Sequence, residues 1–223
     1  MRFLVHALAG FVSLSVVACS DDETKPPADD GKDHDQPNFF VSSDTSPTGD
    51  LGGLDGADAR CQALADAADL DGTWQAYLST EPLDGATGVD ARDRIGDGPF
   101  YNVKREKLAD DVDALHGISG DAELFITEGG DKIPGQWEGS PAGVVHDILT
   151  GTGPDGRVLA GKTCANWTSD SAELVAQVGH SDGLGPAMNA AAPFNSWHSS
   201  HENGGCNDTA PRGGAGHIYC FAP

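Results

Sequence analysis

Near its C-terminal end the chain gathers two imidazoles, two hydroxyls, a carboxylate and an amide within six residues, His198-Ser199-Ser200-His201-Glu202-Asn203. Two histidines three apart can reach one metal ion, and His180, Asp182 or His217 can complete such a site, so Zn²⁺ is one candidate cofactor. Oxygens from Asp182, Asn195, Glu202 or Asn203 would suit Ca²⁺ instead. Ser199 or Ser200 beside His198 and His201 also invites a serine-nucleophile reading, but no nucleophile-elbow motif frames them. Nor is H-x-x-H the H-E-x-x-H helix of metalloproteases, and the surrounding Ser, Asn and Gly argue against a helix. The plainer role for these side chains is to hydrogen-bond loop backbone that has no ladder. Trp137, between Gly-rich segments, is a further candidate ligand contact, whereas Trp74, Trp167 and Trp197 read as core anchors.

These residues must be positioned by a scaffold held largely by cross-links. The segment from Cys164 to Cys206 is rich in Gly, Asn, Ser and Pro, which build turns rather than long helices or regular strands. Earlier, Leu54, Ala57, Cys61, Leu64, Ala65 and Ala68 follow helical spacing, with Asp55, Asp58, Arg60 and Asp66 facing away. Phe39-Phe40-Val41-Ser42-Ser43 predicts a first strand and Thr73 to Ser79 a second. Phe100 to Val103, Ala122 to Thr127, His146 to Thr150, the pentapeptide from Cys164 to Thr168, and Glu173 to His180 read as further extended pieces, and His217 to Phe221 closes the sheet. Ala91 to Ile95 and Leu108 to His116 predict brief helical turns.

The chain has 223 residues, with 35 acidic against 13 basic side chains and a formal net charge of −22. Nucleic acid is thereby excluded as an expected partner, since it requires a positive face. Met1-Arg2 followed by the apolar run Phe3 to Ala18 reads as a signal peptide over residues 1–18, too short for a membrane span. It ends in Val16-Val17-Ala18-Cys19-Ser20, which resembles the bacterial lipobox. By that resemblance Cys19 carries lipid and anchors the chain to the membrane. Ser20, rather than Asp, after the cysteine favours the outer membrane and the cell surface. Residues 19–37 are acidic and Pro-containing and predict a disordered tether, about 60 Å when extended. The folded domain is expected over 38–223.

With Cys19 set aside, Cys61, Cys164, Cys206 and Cys220 make an even count in an exported chain, and four cysteines allow three pairings. The nested one is expected: Cys61 with Cys220 ties the main helix to the last strand, and Cys164 with Cys206 staples the loop. No C-x-x-C spacing supports a cysteine-bound zinc.

The order of helix-borne Cys, flanking strands, Cys, irregular loop, Cys and Cys-bearing terminal strand resembles the C-type lectin-like fold. Within it, the chain resembles the endostatin-like branch found in bacterial outer-surface lipoproteins. The residues that carry the resemblance are Gly52 to Gln62, Thr73 to Ser79, Ala91 to Ile95, Cys164-Ala165-Asn166-Trp167, Cys206 and Ile218-Tyr219-Cys220-Phe221, so that it spans about residues 38 to 222. It implies an α+β fold of small twisted antiparallel sheets with one main helix and a long disulfide-stapled loop region. It further implies binding rather than catalysis, since members of that branch are described as adhesins for matrix proteins and complement regulators. Departures from the family restrict the ligand. The only Glu-Pro, Glu81-Pro82-Leu83, falls too early for a calcium- and sugar-binding loop, and the N-terminal histidine cluster of endostatin's zinc site is missing. The expectation is therefore a surface lipoprotein that is not an enzyme and recognises an extracellular protein or polysaccharide through its long loop. The competing expectation is a secreted metal-dependent or serine hydrolase built on the His198–His201 loop.

Overall fold

A computed structural model describes residues 36–83 and 85–223; the expected signal segment, Cys19 and the tether up to residue 35 fall outside the described residues. In chain order the elements are β1 (Phe39–Val41), α1 (Gly53–Ala67), β2 (Gln75–Ala76), β3 (Phe100–Tyr101), β4 (Lys107–Ala109), α2 (Val112–Gly117), β5 (Asp147–Leu149), β6 (Gln177–His180), β7 (His201–Glu202) and β8 (Gly214–Phe221). Short 3₁₀ turns lie at Ala91–Arg94, Pro186–Met188 and Pro211–Gly213. The architecture is α+β.

The long terminal strand β8 holds the main sheet together. β1 runs antiparallel along one of its edges, Phe39 opposite Phe221 and Val41 opposite Tyr219. The other edge is shared by β2, antiparallel to Cys220 and Phe221, and by β5, parallel to the start of β8. β6 and then β7 extend the sheet outward, both antiparallel to their neighbours. β3 and β4 form a separate two-stranded ribbon.

Both faces of this sheet are covered, and the period of two distributes the side chains between them. Phe39, Val41, Ile148, Tyr219 and Phe221 point into one core, with Tyr77, Phe100, Phe125 and Trp197. Phe40, Leu149, Val178, Ile218 and Cys220 point into the other, with Trp74, Trp167 and α1. α1 contributes Ala57, Cys61 and Ala65 at four-residue spacing, all fully buried, so small side chains let the helix lie close to the sheet. It closes where the Leu70 N–H returns to the Ala65 carbonyl across Asp69, which takes a left-handed φ of 55°. Asp58 and Arg60 do not simply face solvent as the spacing suggested. Asp58 accepts from the Ala76 N–H at 2.8 Å and pairs with Arg94, and Arg60 pairs with Asp44 and donates to the Gly216 carbonyl.

Two disulfides cross-link these layers. Cys61–Cys220 joins α1 to β8 with Cα atoms 5.5 Å apart across 159 residues of sequence, and Cys164–Cys206 spans 42 residues at 5.7 Å. By loop-closure entropy they contribute on the order of 5 and 4 kcal/mol.

Three local expectations are corrected. Cys164–Trp167 is no strand: all four residues have positive φ, 47° to 66°, forming a tight left-handed turn. Left-handed backbone costs about 1–2 kcal/mol per non-glycine residue, and here several contacts impose it. The Thr163 hydroxyl accepts from Asn166 N–H, the Asn166 side chain bonds the backbone of Glu81 at N–H and C=O, and Trp167 Nε1 donates to the Ser79 carbonyl. Leu108 belongs to β4, and the helix begins only at Val112, capped by Asp111 accepting from the Ala114 N–H. Residues 122–127 turn rather than extend, with only isolated bridges at Ile126 and Thr127.

Candidate functional site

Sheet register alone brings three chemistry-bearing side chains together. Asp147 on β5 pairs with His180 on β6, and Val178, two residues before His180, pairs with His201 on β7. Paired residues share a face, as do i and i+2, so Asp147, His180 and His201 project from the same side of the sheet. That side is the disulfide-bearing one, where Leu149 and Val178 continue into the core. His146, from the segment entering β5, completes the group. Gly179 makes the juxtaposition possible, because a Cβ there would lie 1.8 Å from the Trp197 carbonyl oxygen; its absence lets the loop before β7 press against β6.

The distances are short. His180 Nε2 and His201 Nε2 are 2.9 Å apart. Asp147 Oδ1 lies 3.4 Å from both His146 Nε2 and His180 Nε2, and Oδ2 lies 3.5 Å from His201 Nε2. Asp147 is 1% exposed, yet neither carboxylate oxygen has a hydrogen-bond partner. Burial pushes its carboxyl up to about 6 against the opposing pull of His201 and His146. The imidazoles are aimed from behind. His146 Nδ1 donates to Asp182 Oδ1 at 2.7 Å, and His201 Nδ1 to the Glu202 carbonyl at 2.9 Å, which in the neutral rings leaves each Nε2 a lone pair directed inward. His180 is stacked between the rings of His146, 4.4 Å away, and Phe194, 5.9 Å away. Burial, reinforced by the two neighbouring histidines, lowers its pKa to about 3.

Asp182 is itself an organised group. It accepts from the Gln136 and Leu184 N–H groups as well as from His146. Burial acts to raise its carboxyl, but these hydrogen bonds outweigh it and hold the group below its ordinary range. Above the cluster opens a cleft of about 510 Å³ lined by Gln136, Val144, Pro186, Phe194, Arg212 and Gly213 as well as the histidines. Gly213, at φ 108°, approaches closely: a Cβ there would stand 3.4 Å from Asp147 Oδ1.

The loop motif read from sequence is split by the fold. His201 joins the cluster, but His198 turns into the aromatic core, 4.7 Å from the Trp197 ring and 4.9 Å from His116. Only 2% exposed, with Nε2 unpartnered, it is neither a ligand contact nor a partner of His201. Asn203 is structural, its amide bonding the Ala176 N–H and the Gly205 carbonyl. Glu202 pairs with Lys162 at 2.7 Å. His217 donates to the Ser42 carbonyl beside β1, and Asn195 donates to the Ser119 hydroxyl. Trp137 is half-buried, its Nε1 bonded to the Ile133 carbonyl and its face covered by Lys132 at 4.9 Å. The Ser200 hydroxyl donates to the Pro193 and Ser196 carbonyls, and Ser199 Oγ accepts from Gln177; among the described residues neither bonds an imidazole. His146 and Asp147 were absent from the sequence-based candidates. Their signal was a His-Asp pair where the strand pattern calls for an apolar residue ahead of Ile148 and Leu149.

No protein-family model matches the chain. Over 159 residues, 69% of its length, it is 28% identical to the Homo sapiens collagen alpha-1(XVIII) chain, in keeping with the endostatin-like resemblance of the sequence. The match covers 9% of that collagen chain, so this protein corresponds to a small part of it.

Proposed function

We propose that the chain is a lipid-anchored, outward-facing recognition domain that takes an extracellular protein of matrix type or a glycan through the cleft above the histidine cluster. The observation that carries this reading is the cleft. The Arg212 guanidinium lies beside the flat Phe194 ring and Pro186, on walls fixed by β5, β6 and a cross-linked loop. Such walls suit an anionic group attached to a planar or aliphatic body. Two further features support it: disulfides belong to oxidising compartments, and the similarity falls on a collagen chain. Anchoring at Cys19 keeps the domain at the surface. The binding reading is preferred to a serine hydrolase because the hydroxyls that reading needs are engaged with carbonyls and an amide.

The test is a binding panel of matrix proteins and acidic and neutral polysaccharides on the immobilised chain. A ligand in the cleft should bind at least about 10-fold more weakly to Arg212→Glu and Phe194→Ala, the loss of one well-placed contact being worth about 1–2 kcal/mol. Ligands that bind both variants as well as the parent would place recognition elsewhere, and a panel without a single ligand would remove the reading.

A further inference from the structure

The donor set around Asp147 has a chemistry of its own, independent of whatever occupies the cleft. Three imidazole nitrogens and a carboxylate converge from adjacent strands. In the neutral rings, the Nε2 atoms of His146 and His201 are acceptors, because their Nδ1 protons are given to Asp182 and to the Glu202 carbonyl. Asp147, buried and without a hydrogen bond at either oxygen, is an acceptor as well. His180 Nε2 can donate to His201 Nε2 at 2.9 Å, its own Nδ1 having no partner. The Asp147 oxygens, however, face the acceptor nitrogens of His146 and His201 at 3.4 and 3.5 Å and repel them unless something positive lies between.

A metal ion satisfies them together. With Zn–N bonds of about 2.0–2.1 Å, the edges of a tetrahedron are about 3.3 Å, close to the 3.4 Å from Asp147 Oδ1 to His146 and His180 Nε2, while His201 Nε2 stands 3.5 Å from the other oxygen, Oδ2. The 2.9 Å between His180 and His201 need open only slightly. His146, Asp147 and His180 present ligand atoms that all fall within 4.8 Å of one another. The hydrogen bond from His146 to Asp182 is the carboxylate–histidine arrangement that orients metal-bound imidazoles.

We propose that His146, Asp147, His180 and His201 form a binding site for a borderline divalent transition metal, Zn²⁺ first among them, with Asp182 as the positioning residue behind His146. The imidazole majority excludes Ca²⁺ and Mg²⁺, which need oxygen ligands. Three donors stand within 4.8 Å of one another, and His201, outside that group, would move in to complete the tetrahedron of a closed site that contributes to folding. The ion would clamp β5, β6 and β7 at the edge of the sheet and form the floor of the cleft.

The experiment uses the full chain in detergent, stripped with chelator and titrated with Zn²⁺, Co²⁺ and Ca²⁺ in turn. One equivalent of Zn²⁺ should bind, and Co²⁺ should give the intense visible bands of tetrahedral nitrogen–oxygen coordination. Zn²⁺ at 100 to 1,000 times its dissociation constant should raise the melting temperature by roughly 5–15 °C. His201→Ala and Asp147→Asn should each weaken Zn²⁺ binding more than about 100-fold, and Asp182→Asn by about 10–100-fold with Co²⁺ coordination retained. His201 lies on a two-residue strand with its side chain 27% exposed, so its variant decides the matter even if Asp147→Asn does not fold. A folded parent chain that takes no Zn²⁺, takes Ca²⁺ in preference, or binds Zn²⁺ equally after His201→Ala overturns the site. Because the readout needs no ligand in the cleft, its failure would leave the recognition reading untouched.

Discussion

The molecule holds two groups of histidines with opposite characters. In one, His116 and His198 lie among the rings of Tyr77 and Trp197. His116 Nδ1 donates to the Val112 carbonyl, so its Nε2 accepts from the Tyr77 hydroxyl at 2.7 Å. Burial lowers both pKa values, that of His198 to about 3, and the rings serve as neutral aromatic packing. In the other group the same side chain surrounds a buried carboxylate at the floor of a cleft, with nitrogens aimed by Asp182 and a backbone carbonyl. The contrast teaches that a buried histidine becomes a ligand through its neighbours. The unpartnered carboxylate of Asp147 separates the second group from the first, where the oriented Nε2 of His116 is taken up by the Tyr77 hydroxyl.

The largest test of this contrast falls on the packing side. Trp197→Ala removes a fully buried ring that touches Tyr77, Phe125, Tyr219 and His198, and should cost about 3–5 kcal/mol in chemical denaturation. Zn²⁺ affinity of the folded fraction should stay within a few-fold of the parent; a collapse of affinity would merge the two groups into one. Asp147→Leu should act with the opposite sign. In chelator at pH 8 it removes a buried carboxylate without hydrogen bonds, so the metal-free protein should gain about 1–2 kcal/mol while losing its thermal response to Zn²⁺. Destabilisation in chelator would mean that the carboxylate is held by the fold for another reason.

The smallest effect is His198→Phe. Near pH 7.5 it should change stability by less than about 1.5 kcal/mol, since a ring replaces a ring whose Nε2 bonds nothing. Its signature is in the pH dependence. The folded-state pKa of His198, about 3, lies below the unfolded value, so the unfolded chain binds the extra proton first. The associated stability is complete above about pH 6.5 and is lost as pH falls toward 3. The phenylalanine variant should therefore lose less stability than the parent between pH 6.5 and 4 in urea titrations. Parallel curves would show that His198 is not the neutral packing ring described.

Much of the scaffold is legible because its signals are local or count-based. The four-residue spacing of Ala57, Cys61 and Ala65 marks a buried helix face whatever that face meets. The apolar run Ile218 to Phe221 marks a strand covered on both sides. Two features were not legible. The left-handed turn at Cys164–Trp167 runs against the preference of all four residues and exists through bonds to Glu81 and Ser79, more than eighty positions away. The histidine cluster draws on residues 146, 147, 180 and 201, which only strand register brings together.

The sequence by itself thus determined an acidic α+β chain with four cysteines to pair, one main helix, and a loop carrying histidines that could bind something. The tertiary structure decided which histidines. The chain bends between Trp197 and β7, sending His198 into the aromatic core and His201 toward Asp147. Spacing along the chain sets only how far apart two imidazoles can be. The direction each one faces is fixed by what packs behind it.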